Sequence, residues 1–384
     1  MLLCMSTKRH KKAAVYITLF CALLGFLIIF RHGLSLDHYL SEDLVGRSSR
    51  LENGTEAFLS PKEAVSVCRG HGFGVEATQQ NKRKVYDLVL LSTELDWLEI
   101  RLHTLAQYVD YFVIVESATT FTGKPKPLYL RDNWELFSEF HDKIIHRVVN
   151  DPVQSQRIWD HEDYFRNSLL RSVFPNLEGT SKQANPGDVL IVSDMDENIR
   201  PGTILLLRHC HIPARLTLRT DFYYYSFQWQ HRGPQWPHPD VTVFRGPGTL
   251  SPNDLRQGLL GDGWAPVASI RRWWDRETLW NAGWHCSSCF ATVEEMRTKM
   301  HSFSHQGWNT AKNRELDTMI DRVRNGKDLF DRASEKYDRV ENNKDVPSYI
   351  LETFEQEGRF RYLLDRDGVD AGFDDYATVS KDDA

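Results

Sequence analysis

The sequence contains neither a G-x-G-x-x-G turn nor a G-x-x-x-x-G-K-[ST] loop, so dinucleotide and ATP binding lose their usual support. There is no internal repeat and no low-complexity tract, which excludes repeat arrays and biased linkers. Cysteine is sparse: there are 6, and only Cys68, Cys210, Cys286 and Cys289 lie beyond the N-terminal segment. "CSSC" at 286–289 has no second C-x-x-C to complete a zinc site and no thioredoxin-like context, which favours a structural disulfide. Excess basic charge is also missing. A formal net charge of -6 argues against general nucleic-acid binding.

What is present is apolar and aromatic. The 384 residues suffice for one large domain or two modest ones, and 41% hydrophobic content allows a sizeable core. The 11 tryptophans suit a large core or sites that stack flat ligands such as sugars. Near the start, Lys8, Arg9, Lys11 and Lys12 precede the uncharged run "AAVYITLFCALLGFLIIF", residues 13–30. Eighteen helical residues rise about 27 Å, close to the hydrocarbon thickness of a thin bilayer. The run ends in Phe30-Arg31-His32 rather than in a small-residue cleavage site. The expectation is an uncleaved single-pass transmembrane signal anchor over 13–30. By the positive-inside rule, residues 1–12 form a cytoplasmic tail and the rest is lumenal.

"NGT" at Asn53 is a glycosylation sequon on that side. The four lumenal cysteines are expected to be oxidised, with three complete pairings open. Residues 31–84 are polar and weakly periodic and read as a stem, and residues 366–384 as a polar tail that frays.

Between them, 85–365 has the texture of a catalytic domain. "VYDLVLLS" (85–92), "YFVIVES" (111–117), "KIIHRVV" (143–149) and "DVLIVS" (188–193) read as buried strands. Helical spacing runs through Leu95, Leu98, Leu102 and Leu105, and a second helix is expected over 157–174. Strands joined by helices give an α/β fold with a mostly parallel sheet. The aromatic, alternating stretch 214–230 predicts antiparallel strands.

"DVLIVSDMDENIRP" (188–201) ends a buried strand in a burst of acids, Asp194, Asp196 and Glu197. They repel one another and cost stability unless something cationic sits among them. A solvated turn capping a helix is the plain reading. A divalent metal at the carboxyl end of a sheet strand is the sharper one, because open α/β folds bind ligands there. Two carboxylates spaced i, i+2 can share a cation that bridges the diphosphate of a nucleotide sugar.

"DLVLLSTELDWLEIRLHTLAQYVDYFVIVES", "TGKPKPLYL", "VSDMDENIRPG", "NAGWHCSSCF" and "HSFSHQGWN" resemble, in order, motifs of glycosyltransferase family 17 across roughly 85–365. The resemblance implies a GT-A-type nucleotide-sugar-binding fold, UDP-GlcNAc as donor and a divalent metal, Mn²⁺. It implies inverting transfer of N-acetylglucosamine in β-1,4 linkage to the core mannose of an N-glycan or glycoprotein acceptor, in the Golgi membrane with single-pass type II topology. "SDMDE" departs from the animal pattern, which carries a further acid in place of the serine. Asp194 and Asp196 align with the Asp-x-Asp pair as metal ligands and catalytic residues.

His285 is a candidate third metal ligand or diphosphate contact, against the alternative of a hydrogen-bonded core histidine. Glu197 is a partner of the ligands or a helix cap. Glu116 is a candidate uridine or ribose contact, or the cap of a loop. Lys124 and Lys126 are candidate phosphate contacts, or exposed loop residues. Trp229, Trp236, Trp273 and Trp274 stack sugars or fill the core. Inversion needs a base, for which Asp221, Glu116 and Asp262 qualify by residue type, without an assignment among them. A lumenal metal-dependent hydrolase and a catalytically silent carbohydrate-binding protein are the competing readings, as is the same fold with another donor or acceptor.

Overall fold

The run Val85–Leu90 forms a strand in which every residue but Leu90 is buried. Val85 and Val89 face one apolar cluster, Tyr86 and Leu88 another, so both faces of the sheet are covered. That two-sided burial is why the run is continuous rather than alternating. The computed structural model describes residues 12, 14–26, 37–47, 58–76, 83–259, 261, 264–302 and 306–379.

The elements that frame the site run in chain order: α1 (Pro61–Gly70), β1 (Val85–Leu90), α2 (Leu95–Leu105), β2 (Tyr111–Glu116), β3 (Ile144–Val148), α3 (Ile158–Arg171) and β4 (Val189–Ser193). Next come β5 (Glu197–Ile199), α4 (Pro201–His209), β6 (Arg215–Tyr224), β7 (Ser226–His231), β8 (Asp240–Val243), α5 (Pro252–Arg256) and α6 (Ala265–Trp274). β9 (Arg276–Ser287), α7 (Val293–Ser302), α8 (Leu316–Arg324) and β10 (Tyr337–Arg339) complete the set.

The sheet runs β9-β6-β8-β4-β1-β2-β3. β4, β1, β2 and β3 are mutually parallel, and β9 is parallel to β6. β8 runs antiparallel to both its neighbours. The result is a mixed α/β fold with a mostly parallel central sheet, as expected from the alternation of strands and helices. The 214–230 stretch supplies β6 and β7, which pair antiparallel. Register pairs Leu90 with Val115, Glu116 with Val148 and Val89 with Ser193, so the carboxyl ends of the parallel strands share one edge.

The chain divides into two units, Met1–His38 and Tyr39–Ala384. In the first, residues 14–26 are helical and exposed. Among the described residues no helix is long and apolar enough to cross a membrane. Ala13 and residues 27–30 of the expected span lie outside them, as does Asn53.

The structure draws the edges of the folded domain more widely than 85–365. Leu40, Leu44, Leu59, Ala64, Cys68 and Phe73, all within the expected stem, belong to the main core. Gly202, in the first turn of α4, has Leu44 pressed against it: a Cβ there would come within 2.2 Å of the Leu44 carbonyl oxygen. The expected polar tail is also built in. Arg366 is fully buried and donates to the carbonyls of Tyr225, Phe290 and Ala371, while Phe373 joins the aromatic cluster around Tyr225. Both segments look polar because their few apolar residues are spaced too irregularly to show a period.

The four expected disulfide cysteines pair as Cys68–Cys210 and Cys286–Cys289. The first ties α1 to the end of α4. Beside it, the Leu59 amide donates to His209 Nε2 at 3.1 Å. Burial, reinforced by Arg208, lowers the His209 pKa from 6.5 to about 4. The folded state therefore keeps this imidazole neutral, and protonation favours the unfolded chain. This contribution is intact above about pH 6.5 and is lost progressively as pH falls towards about 4. Thermal melts across that window should fall more steeply for the wild type than for His209→Gln, which keeps an acceptor without a titrating group. Parallel curves would refute the assignment.

Candidate active site

A cavity of about 510 Å³ opens at the edge where the parallel strands end. Ser92 and Ser117 line it just past β1 and β2, and Asp194, Asp196 and Glu197 just past β4. The burst of acids is thus part of a cavity wall.

The cations that make this wall stable are arginines. Arg166 Nη1, on α3, donates to Asp194 Oδ1 at 2.9 Å, and Arg256 Nη2, at the end of α5, bonds Asp194 Oδ2. Arg256 also forks onto Glu197, at 2.9 Å and 2.7 Å. Glu197 further accepts from Trp236 Nε1 at 2.8 Å and from the Asp194 amide at 2.9 Å. Burial alone would raise both carboxyls, but Arg256 and Arg166 hold Asp194 far below the usual carboxylate range. Arg256 likewise outweighs burial and the neighbouring Asp194 to bring Glu197 down to about 2. Both acids stay ionised across the physiological range.

Beneath them Arg101 of α2, fully buried, forks onto Asp87 at 2.6 Å and 2.7 Å and bonds Ser193 Oγ. Its remaining nitrogen donates to the Glu197 carbonyl at 2.8 Å. The serine that departs from the acidic pattern is therefore a neutral acceptor for a guanidinium already paired with Asp87.

Asp196 points elsewhere. Its Oδ2 lies 3.7 Å from His285 Nε2. His285, on β9, stacks on Phe222 at 4.9 Å and lies 4.8 Å from Trp236, and its Nδ1 has no hydrogen-bond partner among the described residues. Lys299 of α7 lines the cavity and pairs with Glu94 at 3.2 Å. Burial works to lower the Lys299 pKa, but Glu94, Asp196 and Asp194 together raise it above the ordinary value. Lys299 is a permanent cation facing the acids.

The other residues singled out from the sequence separate into two groups. Trp236, His285, Glu116 and Lys126 line the cavity; Lys124 is exposed and does not. The Glu116 carboxylate is occupied, accepting from the Leu130 and Arg131 amides at 3.2 Å and 3.0 Å and from His146 at 2.7 Å. Lys126 Nζ donates to the Ser92 carbonyl at 3.1 Å. Trp229 packs in the aromatic core, and Trp273 and Trp274 lie on the exposed helix α6. Asp221 bonds Arg200 and Gln235 rather than lining the cavity, and Asp262 lies outside the described residues. Arg166, Arg256 and Lys299 carry no local signal in the sequence, because each gains its meaning from acids on another element.

The donor set does not match a ready metal seat. Both oxygens of Asp194 are held by guanidinium groups, which leaves Asp196 and His285. Among the described residues, no three His, Cys, Asp or Glu are grouped to hold an ion.

A doubly covered, mostly parallel sheet with a cavity lined by charged residues at the carboxyl ends of its strands defines an α/β protein with its candidate ligand site at that edge. The comparisons narrow the class. Residues 9–256 and 271–367 match glycosyltransferase family 17, and the chain belongs to that family. The unmatched stretch, 257–270, contains the exposed Trp264 and Ile270 of the α6 region. The chain is also similar to β-1,4-mannosyl-glycoprotein 4-β-N-acetylglucosaminyltransferases of Rattus norvegicus and Homo sapiens, 27% identical over 315 residues. The aligned part is 74% of this chain and 55% of each relative, so the chain spans about half their length.

Proposed function

We propose that this chain is an inverting GT-A-type transferase that moves N-acetylglucosamine from UDP-GlcNAc, in β-1,4 linkage, to the core mannose of N-glycans. The observation that carries the reading is the wall of Asp194, Asp196 and Glu197 facing Lys299 across a cavity at the strand ends. A diphosphate entering there meets Lys299 and Arg166 as counter-charges, and Phe222 and Trp236 offer flat apolar faces for sugar rings. The names of the similar proteins favour this donor and acceptor over others. The Mn²⁺ expected from the resemblance has no ready three-ligand seat among the described residues, so no step of the transfer is routed through it. The apolar run 13–30 supports a Golgi membrane anchor with the catalytic unit lumenal.

The test uses full-length protein, a panel of UDP-sugars and a biantennary N-glycan, with Mn²⁺ or with EDTA. Expected is UDP release from UDP-GlcNAc that depends on acceptor, with a product heavier by one N-acetylglucosamine. UDP release without acceptor would identify a hydrolase, and glycan binding without turnover a silent binder; either overturns the reading. The comparison between Mn²⁺ and EDTA decides the metal, and retention in membranes after alkaline carbonate extraction decides the anchor.

A further inference from the structure

The reaction proposed above leaves the base unassigned, and the carboxylates around the cavity can be sorted by what already holds them. Glu94 accepts from the Ser92 and Thr93 amides and pairs with Lys299. Glu116 is filled by two amides and His146, and Glu162 pairs with Arg166 at 2.7 Å. Asp194 and Glu197 are locked by guanidinium groups, which make poor proton acceptors of them. Asp196 stands beside His285 and in the field of Lys299, on the side where the leaving diphosphate would be received.

Glu335 differs from all of these. It lines the cavity from the loop between α8 and β10, and among the described residues its carboxylate bonds His231 and Ser334 rather than an arginine or lysine. Oε2 meets His231 Nε2 at 3.1 Å and Oε1 accepts from Ser334 Oγ at 3.1 Å. The Gly233 amide donates to His231 Nδ1 at 3.2 Å, so the imidazole proton sits on Nε2 and His231 is the donor. The β7–β10 pairing sets His231 opposite Tyr337 and so carries Glu335 to this position. The His231 ring lies 5.0 Å from Phe222, which stacks on His285 beside Asp196. Trp308 and Phe330, 5.4 Å apart, line the same cavity and suit a sugar acceptor.

We propose that Glu335 is the general base, oriented by His231 and Ser334, that takes the proton of the attacking acceptor hydroxyl; this rests on the transferase reading. The acceptor oxygen bonds the anomeric carbon as its proton passes to the Glu335 carboxylate. The bond from that carbon to the phosphate oxygen breaks on the opposite face, and its electron pair leaves with UDP.

Full-length Glu335→Gln should transfer N-acetylglucosamine with kcat lowered about 1000-fold, within the usual range for lost base catalysis. KM for donor and acceptor should stay within about threefold of wild type, as should UDP-GlcNAc affinity by calorimetry, because the lost step is made in the transition state. If Glu335→Gln melts early, Glu335→Asp carries the test, with an unchanged melt and kcat at least about tenfold lower. Turnover by Glu335→Gln within tenfold of wild type, or a loss explained by weaker substrate binding, overturns the assignment. A wild-type protein that transfers no sugar overturns the transferase reading instead.

Discussion

Asp194→Asn and Asp196→Asn should each lower kcat/KM by at least about 100-fold, roughly 2.7 kcal/mol, Asp194 because it holds Arg166 at the cavity and Asp196 because it sets the positions of His285 and Lys299 there, yet they differ in what they do to the fold. Asp194 is the shared partner of Arg166, which is buried, and Arg256, whose side chain is 8% exposed, and the amide that replaces it neutralises neither. Hydrogen bonds to charged groups are worth about 1.5–3 kcal/mol each, so Asp194→Asn should also be less stable by about that much. Among the described residues Asp196 pairs with no guanidinium and faces His285 at 3.7 Å, so Asp196→Asn should melt as the wild type does. Relief of repulsion among crowded acids would have raised stability at both positions; the arginines reverse the sign at Asp194. Steady-state kinetics beside thermal melts read both quantities. An Asp194→Asn protein with wild-type stability would show that the arginines do not depend on it, and an Asp196→Asn protein at wild-type rate would remove Asp196 from the reaction.

The largest stability effect is expected at Arg101→Met. Arg101 and Asp87 are both fully buried, and the pair is bidentate. Removing the guanidinium strands a carboxylate in the middle of β1, at a cost of about 3–5 kcal/mol. That is a large share of the roughly 5–15 kcal/mol that keeps a domain folded. It also releases Ser193 and the Glu197 carbonyl, both bonded by Arg101 under the acidic wall. Arg101→Met with Asp87→Leu should recover much of the loss, because an apolar pair of similar volume no longer buries a charge. Chemical denaturation distinguishes these outcomes, and a single variant within about 1 kcal/mol of wild type would contradict the buried-pair account.

Four strands of the sheet, and the helices that follow the first and the third, were legible in the sequence. Strands packed on both faces read as near-continuous apolar runs, and such runs stand out between turns. Asp194 and Asp196 were legible for a related reason: acids placed directly after a buried strand lie at the strand's end whatever the rest of the fold does. The domain's edges were not legible. Leu44 and Phe373 enter the core as isolated apolar residues in polar stretches, and burial of that kind has no period to detect.

The chemistry of the wall was decided by tertiary structure alone. Arg166 reaches Asp194 across 28 residues of chain and Arg256 across 62, from helices whose own patterns give no sign of a carboxylate partner. Glu335 reaches the cavity because β10 pairs with β7. The sequence by itself determined where a strand ends and which acids follow it, since both depend on neighbours along the chain. Only the folded arrangement decided which of those acids are neutralised and which stay open to a substrate, because charges pair through space and their partners come from distant segments.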